Sequence, residues 1–175
     1  MFGTDWYNRP AFEESMQDAL HSVDLADTAA YYSRSPASGF WILEYNGRFV
    51  GLIAVDASTD SASGDIPLSS DDQKSKLTAK GTSSLATIRH FYVEEPYRST
   101  LVQDDLLKCA LKFAFQEKKV QRVKALDAEL TSYLGKSLRR QGFSSGSLVE
   151  TVGVFGWSVH ERVLDRKTYE KNQQA

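Results

Sequence analysis

The chain has 175 residues, 41% of them hydrophobic, and 21 Lys+Arg against 23 Asp+Glu leave a formal net charge of -2. That length suits one domain, 1–175, with a real core. The near-balance of charge argues against a dedicated nucleic-acid binder with a basic face. Cys109 is the only cysteine, so there is no internal disulfide and no cysteine-based metal site. No apolar run approaches the roughly 20 residues of a membrane span, and no signal-peptide core opens the chain. The expectation is a soluble domain from a reducing compartment.

In chain order, "RPAFEESMQDALH" spaces Phe12, Met16, Ala19 and Leu20 as a helix does, with acids in its first turn. "DLADTAAYYSRSP" predicts a second, short helix, with Asp24 as N-cap, Asp27 completing a weak capping box and Pro36 ending it. "GFWILEYNGRFVGLIAVDAS" predicts a hairpin turning at Asn46-Gly47. Both its strands are apolar on both faces, which predicts a central, helix-covered position. A Ser/Asp-rich stretch at about 57–83 has almost no core material and reads as a long flexible loop. "SLATIRHFYV" is a strand. A helix follows from about Thr100 to Glu117, with Leu106, Leu107, Ala110, Leu111, Ala114 and Phe115 as its apolar stripe. "VQRVKAL" is a further strand, and "LTSYLGKSLRRQGF" an amphipathic helix closed by Gly142. "LVETVGVFGWSVHERVL" reads as one long strand, bent or bulged near Gly153 or Gly156, before a polar, frayed tail. Phe40, Trp41, Phe49, Phe91 and Phe115 read as core. The alternation of elements is that of an α/β domain with a mixed sheet.

With "GFWILEYNGRFVGLIAV", "RHFYVEEPYR" and a late helix ending "RRQGF", the order resembles the GNAT acetyltransferase superfamily over nearly the whole chain. "DLAD", "YY", "GFW" and a strand histidine at His90 are similar to the membrane-anchored, camello-like cysteine-conjugate N-acetyltransferase branch. The resemblance implies a mixed central sheet flanked by helices, acetyl-CoA as cofactor and an amine as substrate. It also implies a cytoplasmic domain on an endoplasmic-reticulum membrane, tethered by a segment outside this chain.

The resemblance further implies that the backbone at Tyr92 and Val93 pairs with the pantetheine arm. Arg98, Ser99, Thr100, Leu101, Val102 and Gln103 stand at the pyrophosphate loop, whose N-H groups lie at a helix start. Arg98 matches the family's pattern. Leu101 and Gln103 stand where it has small residues, mostly glycine, leaving room for phosphate. Asp104 and Asp105, just beyond, suit the helix dipole but repel a pyrophosphate. The family's usual acid tyrosine is replaced by Leu138 and a common asparagine by Thr131, which leaves Tyr133 as the substitute donor to a leaving thiolate. Tyr133 also reads as a tyrosine packed at the helix-sheet boundary with a wet hydroxyl.

His90 is either a base for an amine or a strand histidine satisfied by one hydrogen bond. Glu94 and Glu95 are candidate bases acting through water, or solvated carboxylates. Glu129 is a candidate for amine contact. Trp6, Tyr7, Tyr31 and Tyr32 line the substrate face, cover the sheet or meet a membrane segment outside this chain. His21, His90 and His160 have no metal-ligand spacing, and no nucleophile elbow, Walker loop or dinucleotide fingerprint occurs. Two functions remain: an acetyl-CoA-dependent N-acetyltransferase, or a catalytically inactive GNAT-shaped binding module that acts through a protein partner.

Overall fold

The computed structural model describes residues 23–59, 80–152 and 156–174. The helix expected at "RPAFEESMQDALH", with Trp6, Tyr7 and most of the Ser/Asp-rich stretch, lies outside the described residues. Among the described residues, six strands form one sheet: β1 Gly39–Tyr45, β2 Arg48–Ser58, β3 Thr82–Val93, β4 Arg122–Ala128, β5 Ser144–Val152 and β6 Trp157–Asp165. Their spatial order is β1-β2-β3-β4-β6-β5, with β3 and β4 parallel and every other pair antiparallel. The helices are α1 Val23–Ala26, α2 Thr28–Tyr32, α3 Val102–Gln116, α4 Ser132–Arg140 and α5 Arg166–Gln173. This is a mixed sheet flanked by helices, the α/β architecture that the element order implies.

Successive side chains on β2 serve two different layers. Ile53, Val55 and Ala57 join the main core with α3, while Ala54 packs with Tyr31 and Tyr32 of α2. The whole predicted stripe of α3 is buried, from Leu106 to Phe115. Asn46 and Gly47 both have positive φ, 51° and 72°, the requirement of the two-residue hairpin turn. Only one arm of that hairpin is central, however. β1 is the sheet edge, with Ile42 58% and Tyr45 63% exposed. Phe49 is no core residue either; it stacks on Tyr92, ring centroids 6.3 Å apart, at the surface.

Three further expectations change. The segment read as one long strand is two, β5 and β6, paired antiparallel. Gly156, at φ 64°, belongs to the turn between them and not to a bulge. The tail is helical as α5, where Tyr169 stacks on Phe115 at 4.6 Å. Arg166, at its start, donates to the carbonyls of Phe115, Glu117 and Val120, satisfying the otherwise unpaired end of α3. Finally, Asp24 sits within α1, and Asp27 caps α2 by accepting the Ala30 N–H at 3.0 Å. The end of α4 follows its sequence signal: Gly142, at φ 91°, lets the N–H groups of Gly142 and Phe143 reach the carbonyls of Arg139 and Leu138.

Candidate active site

β3 and β4 pair only from Leu85–Arg122 to Thr87–Lys124. Both strands run on beyond that point, β3 to Val93 and β4 to Ala128, without pairing to each other. The sheet therefore holds a wedge-shaped gap, and the strand edges facing it must satisfy their backbone groups elsewhere. At Val93 they do so through two side chains. The Val93 N–H donates to the Tyr133 hydroxyl at 3.4 Å, and the Val93 carbonyl accepts from Arg98 Nε at 2.9 Å. The first bond is at the long limit and weak; the second has normal length. Arg98 also places its guanidinium 4.4 Å from the Tyr133 ring centroid and 6.0 Å from that of Tyr92.

Tyr133 comes from the first turn of α4, which lies close against β4 because residue 135 is glycine. A Cβ there would collide with the Asp127 carboxylate. Asp127 is in turn fixed by Arg162 at 2.6 Å and Arg139 at 3.3 Å.

After β3, residues Glu95–Thr100 form a 3-10 turn, and Leu101 joins it to α3 in the left-handed region, φ 64° and ψ 17°. That conformation costs a non-glycine residue about 1–2 kcal/mol. The loop thus keeps a glycine-type backbone with leucine in it, and the leucine side chain is half exposed. Gln103 is buried. Its Nε2 donates to the Arg98 carbonyl at 3.0 Å, stapling the loop, while its Oε1 has no partner among the described residues. Ser99 and Thr100 are exposed, and Val102 packs on the core.

Asp104 does not present a bare negative charge to this loop. Arg140 grips it with two bonds, 2.7 and 2.8 Å, and Ser137 donates a third. Burial pushes the Asp104 carboxyl up, but the hydrogen bonds from Arg140 and Ser137, with the charges of Arg140 and Lys108, outweigh it and hold it below the ordinary range.

The opposite face of the same gap carries a different set. Between Ala54–His90 and Val55–Ile88 the β2–β3 register shifts by one residue, so β3 bulges at Arg89. Both Arg89 and His90 consequently reach toward α1, where the buried Asp24 receives His90 Nε2 at 2.7 Å, the Tyr32 hydroxyl at 2.9 Å and Arg89 Nε at 3.5 Å. Beside it, Asp56 accepts from the Tyr31 hydroxyl at 2.9 Å and the Ser58 hydroxyl at 2.6 Å, and pairs with Arg34 at 3.5 Å. Burial, then the neighbouring carboxylates, push both phenols far up, so Tyr31 and Tyr32 remain donors. These tyrosines are spent on buried carboxylates.

The structure therefore brings Tyr92, Val93, Arg98 and Tyr133 together at the end of β3, with His90 two residues back from Tyr92 on the sheet face that carries α1 and α2. Glu94 begins the 3-10 turn, and its charge, behind the effect of burial, helps raise the Tyr92 phenol. Glu129 accepts the Ser158 N–H at 3.0 Å, and Thr131 bonds the Ala128 carbonyl; both anchor local backbone. Leu138 is core. Asp24, Arg89 and the Asp104–Arg140 clamp carry no sequence signal, since each pairs with residues far along the chain.

No protein-family model matches the chain. A stretch of 52 residues, 30% of this chain, is 36% identical to human N-acetylaspartate synthetase and spans only 17% of that protein. The zebrafish (Danio rerio) N-acetylaspartate synthetase matches at 34% over 55 residues, again spanning 19% of its length. Among solved structures, an aminoglycoside acetyltransferase in complex with coenzyme A and kanamycin superposes with a TM-score of 0.57 at 13% identity, covering 85% of this chain and 78% of that one. A GNAT-family acetyltransferase from Streptococcus pneumoniae gives 0.56 at 11% identity, covering 77% and 70%. A ribosomal-protein-alanine N-acetyltransferase from Brucella melitensis gives 0.51 at 16%, covering 73% and 68%. The chain has the GNAT acetyltransferase fold.

Proposed function

We propose that the chain is an acyl-CoA-dependent N-acyltransferase that moves an acetyl group to an amine. The observation that carries the reading is the unpaired gap between β3 and β4, opening beside a helix start whose loop keeps the left-handed turn at Leu101. The residues fit such a cofactor. The Val93 N–H is held only by a long bond to Tyr133, so a pantetheine amide can take it over. Asp104 is neutralised by Arg140, and Arg98 supplies positive charge at the loop. An acyl-CoA, when bound, supplies the acyl group activated as a thioester.

The chain's own residues would then do four things. The backbone at Tyr92 and Val93 orients the arm. The backbone from Arg98 to Gln103 holds the phosphates, with the Gln103 staple keeping the loop in shape. Tyr133 carries a phenol proton with no acceptor among the described residues, available to a leaving thiolate. His90 and Glu94 border the gap as proton acceptors for the amine. The relatives named above make aspartate the first acceptor to assay. A tether to an endoplasmic-reticulum membrane belongs to the same proposal and would lie outside these residues.

A second reading also has an observation behind it. Gln103 occupies a glycine position with its side chain buried, and both backbone groups of Val93 are satisfied internally. A gap so closed suits a non-catalytic module that recruits a protein partner. Titration calorimetry with acetyl-CoA, backed by thermal shift, separates the two. Micromolar binding, with about 2.7 kcal/mol of stabilisation at a hundredfold excess over Kd, supports the enzyme. No binding at millimolar ligand retires it in favour of the module.

A further inference from the structure

We infer that Asp24 is a positioning residue that fixes His90 as the proton acceptor for the amine, an inference that rests on the acyltransferase reading above. His90 lies in the 88–93 part of β3 that has no β4 partner, so it borders the gap. The bulge at Arg89 matters here. With regular alternation His90 would point with Ile88 into the core under α3; the extra residue turns it to the face carrying α1 and α2.

There His90 Nε2 lies 2.7 Å from a carboxylate that is itself only 1% exposed. Two lone pairs cannot face each other at that distance, so Nε2 carries the hydrogen, and in the neutral ring Nδ1 holds the lone pair. Nδ1 has no partner among the described residues. The imidazole is 22% exposed, which leaves it reachable. The ionisable groups around it are Asp24 of α1, Tyr32 and Tyr31 of α2, Arg89 of β3 and Asp56 of β2. Both tyrosines keep their protons and donate them to the carboxylates, so neither competes for the amine's proton.

The step balances simply. One N–H bond of the substrate ammonium breaks, its electron pair stays on nitrogen and its proton passes to Nδ1. The amine is left neutral and nucleophilic. The imidazolium sits against Asp24, whose charge compensates the new positive one in a site of low polarity.

The test is side-chain nitrogen NMR on the full 15N-labelled chain, with the signals of its three histidines assigned through His90→Gln. Neutral His90 in the wild-type chain should be the Nε2–H tautomer, whatever ligand is present; the Nδ1–H tautomer overturns the inference. In Asp24→Asn the amide N–H should donate to Nε2, move the ring proton to Nδ1, and cut amine acetylation about 10²–10⁴-fold without changing acetyl-CoA affinity. Undiminished turnover in that variant also overturns it. A wild-type chain that binds no acetyl-CoA in the calorimeter defeats the acyltransferase reading and this inference with it. Binding together with the wrong tautomer defeats this inference alone.

Discussion

The two faces of the sheet are built from different materials. Under α3 the filling is hydrocarbon: Leu107, Leu111, Val123 and Leu164 are fully buried in one continuous cluster. Under α1 and α2 the apolar cluster among the described residues is small, Tyr31, Tyr32 and Ala54, and it adjoins a polar network with Asp24, Arg34 and Asp56 buried and Arg89 and His90 partly so. A hydrocarbon core tolerates changes that conserve volume. A buried ionic network tolerates no loss of a single partner, because the survivor is left charged and dry. The second face is costly to assemble and lies next to the gap.

The largest effect is expected from Asp56→Ala. It removes the acceptor of the Tyr31 and Ser58 hydroxyls and an ion-pair partner of buried Arg34, and urea unfolding should show a loss of about 3–5 kcal/mol. Replacing both ions, Arg34→Met with Asp56→Leu, should cost less than either single change. Leu107→Ala, on the hydrocarbon side, should cost about 3 kcal/mol through lost transfer energy and the cavity it leaves, and no second substitution of this ionic kind should repair it.

Asp104→Asn should cost less, about 1–2 kcal/mol at neutral pH, because Arg140 is largely exposed and screened. Its pH dependence has a definite sign. The folded Asp104 carboxyl is held below its unfolded value. Its contribution is therefore complete above about pH 4, the unfolded range, and is lost as pH falls through the folded value. The stability gap between wild type and Asp104→Asn should narrow only on that acid side. The smallest change runs the other way: Leu101→Gly should relieve the left-handed backbone and stabilise by at most about 1 kcal/mol, offset in part by glycine's greater freedom in the unfolded chain.

What the sequence disclosed was local. Asn46-Gly47, the α3 stripe and the Gly142 cap are patterns written within a few residues, and each appears where it was read. The β5–β6 turn was misassigned because glycine marks a strand bulge and a tight turn alike. The tail's polarity hid a helix that is held by one arginine and one tyrosine rather than by an apolar stripe. The site was legible only as a resemblance along "RHFYVEEPYR". Its ionic half was not legible, since Asp24 and His90 are 66 residues apart and Asp104 and Arg140 are 36 apart. Asp24 in particular reads locally as a helix cap; only the folded chain shows it aimed at β3.

On the function proposed above, the gap between β3 and β4 receives an acyl-CoA at Val93. The most direct measurement follows the Val93 backbone amide by 1H–15N NMR while acetyl-CoA is added to the full chain. A saturable shift is expected at Val93 and through the Arg98–Gln103 loop, reached at lower ligand in Tyr133→Phe, which frees the amide. A Val93 signal that stays fixed at millimolar acetyl-CoA in both proteins would contradict it.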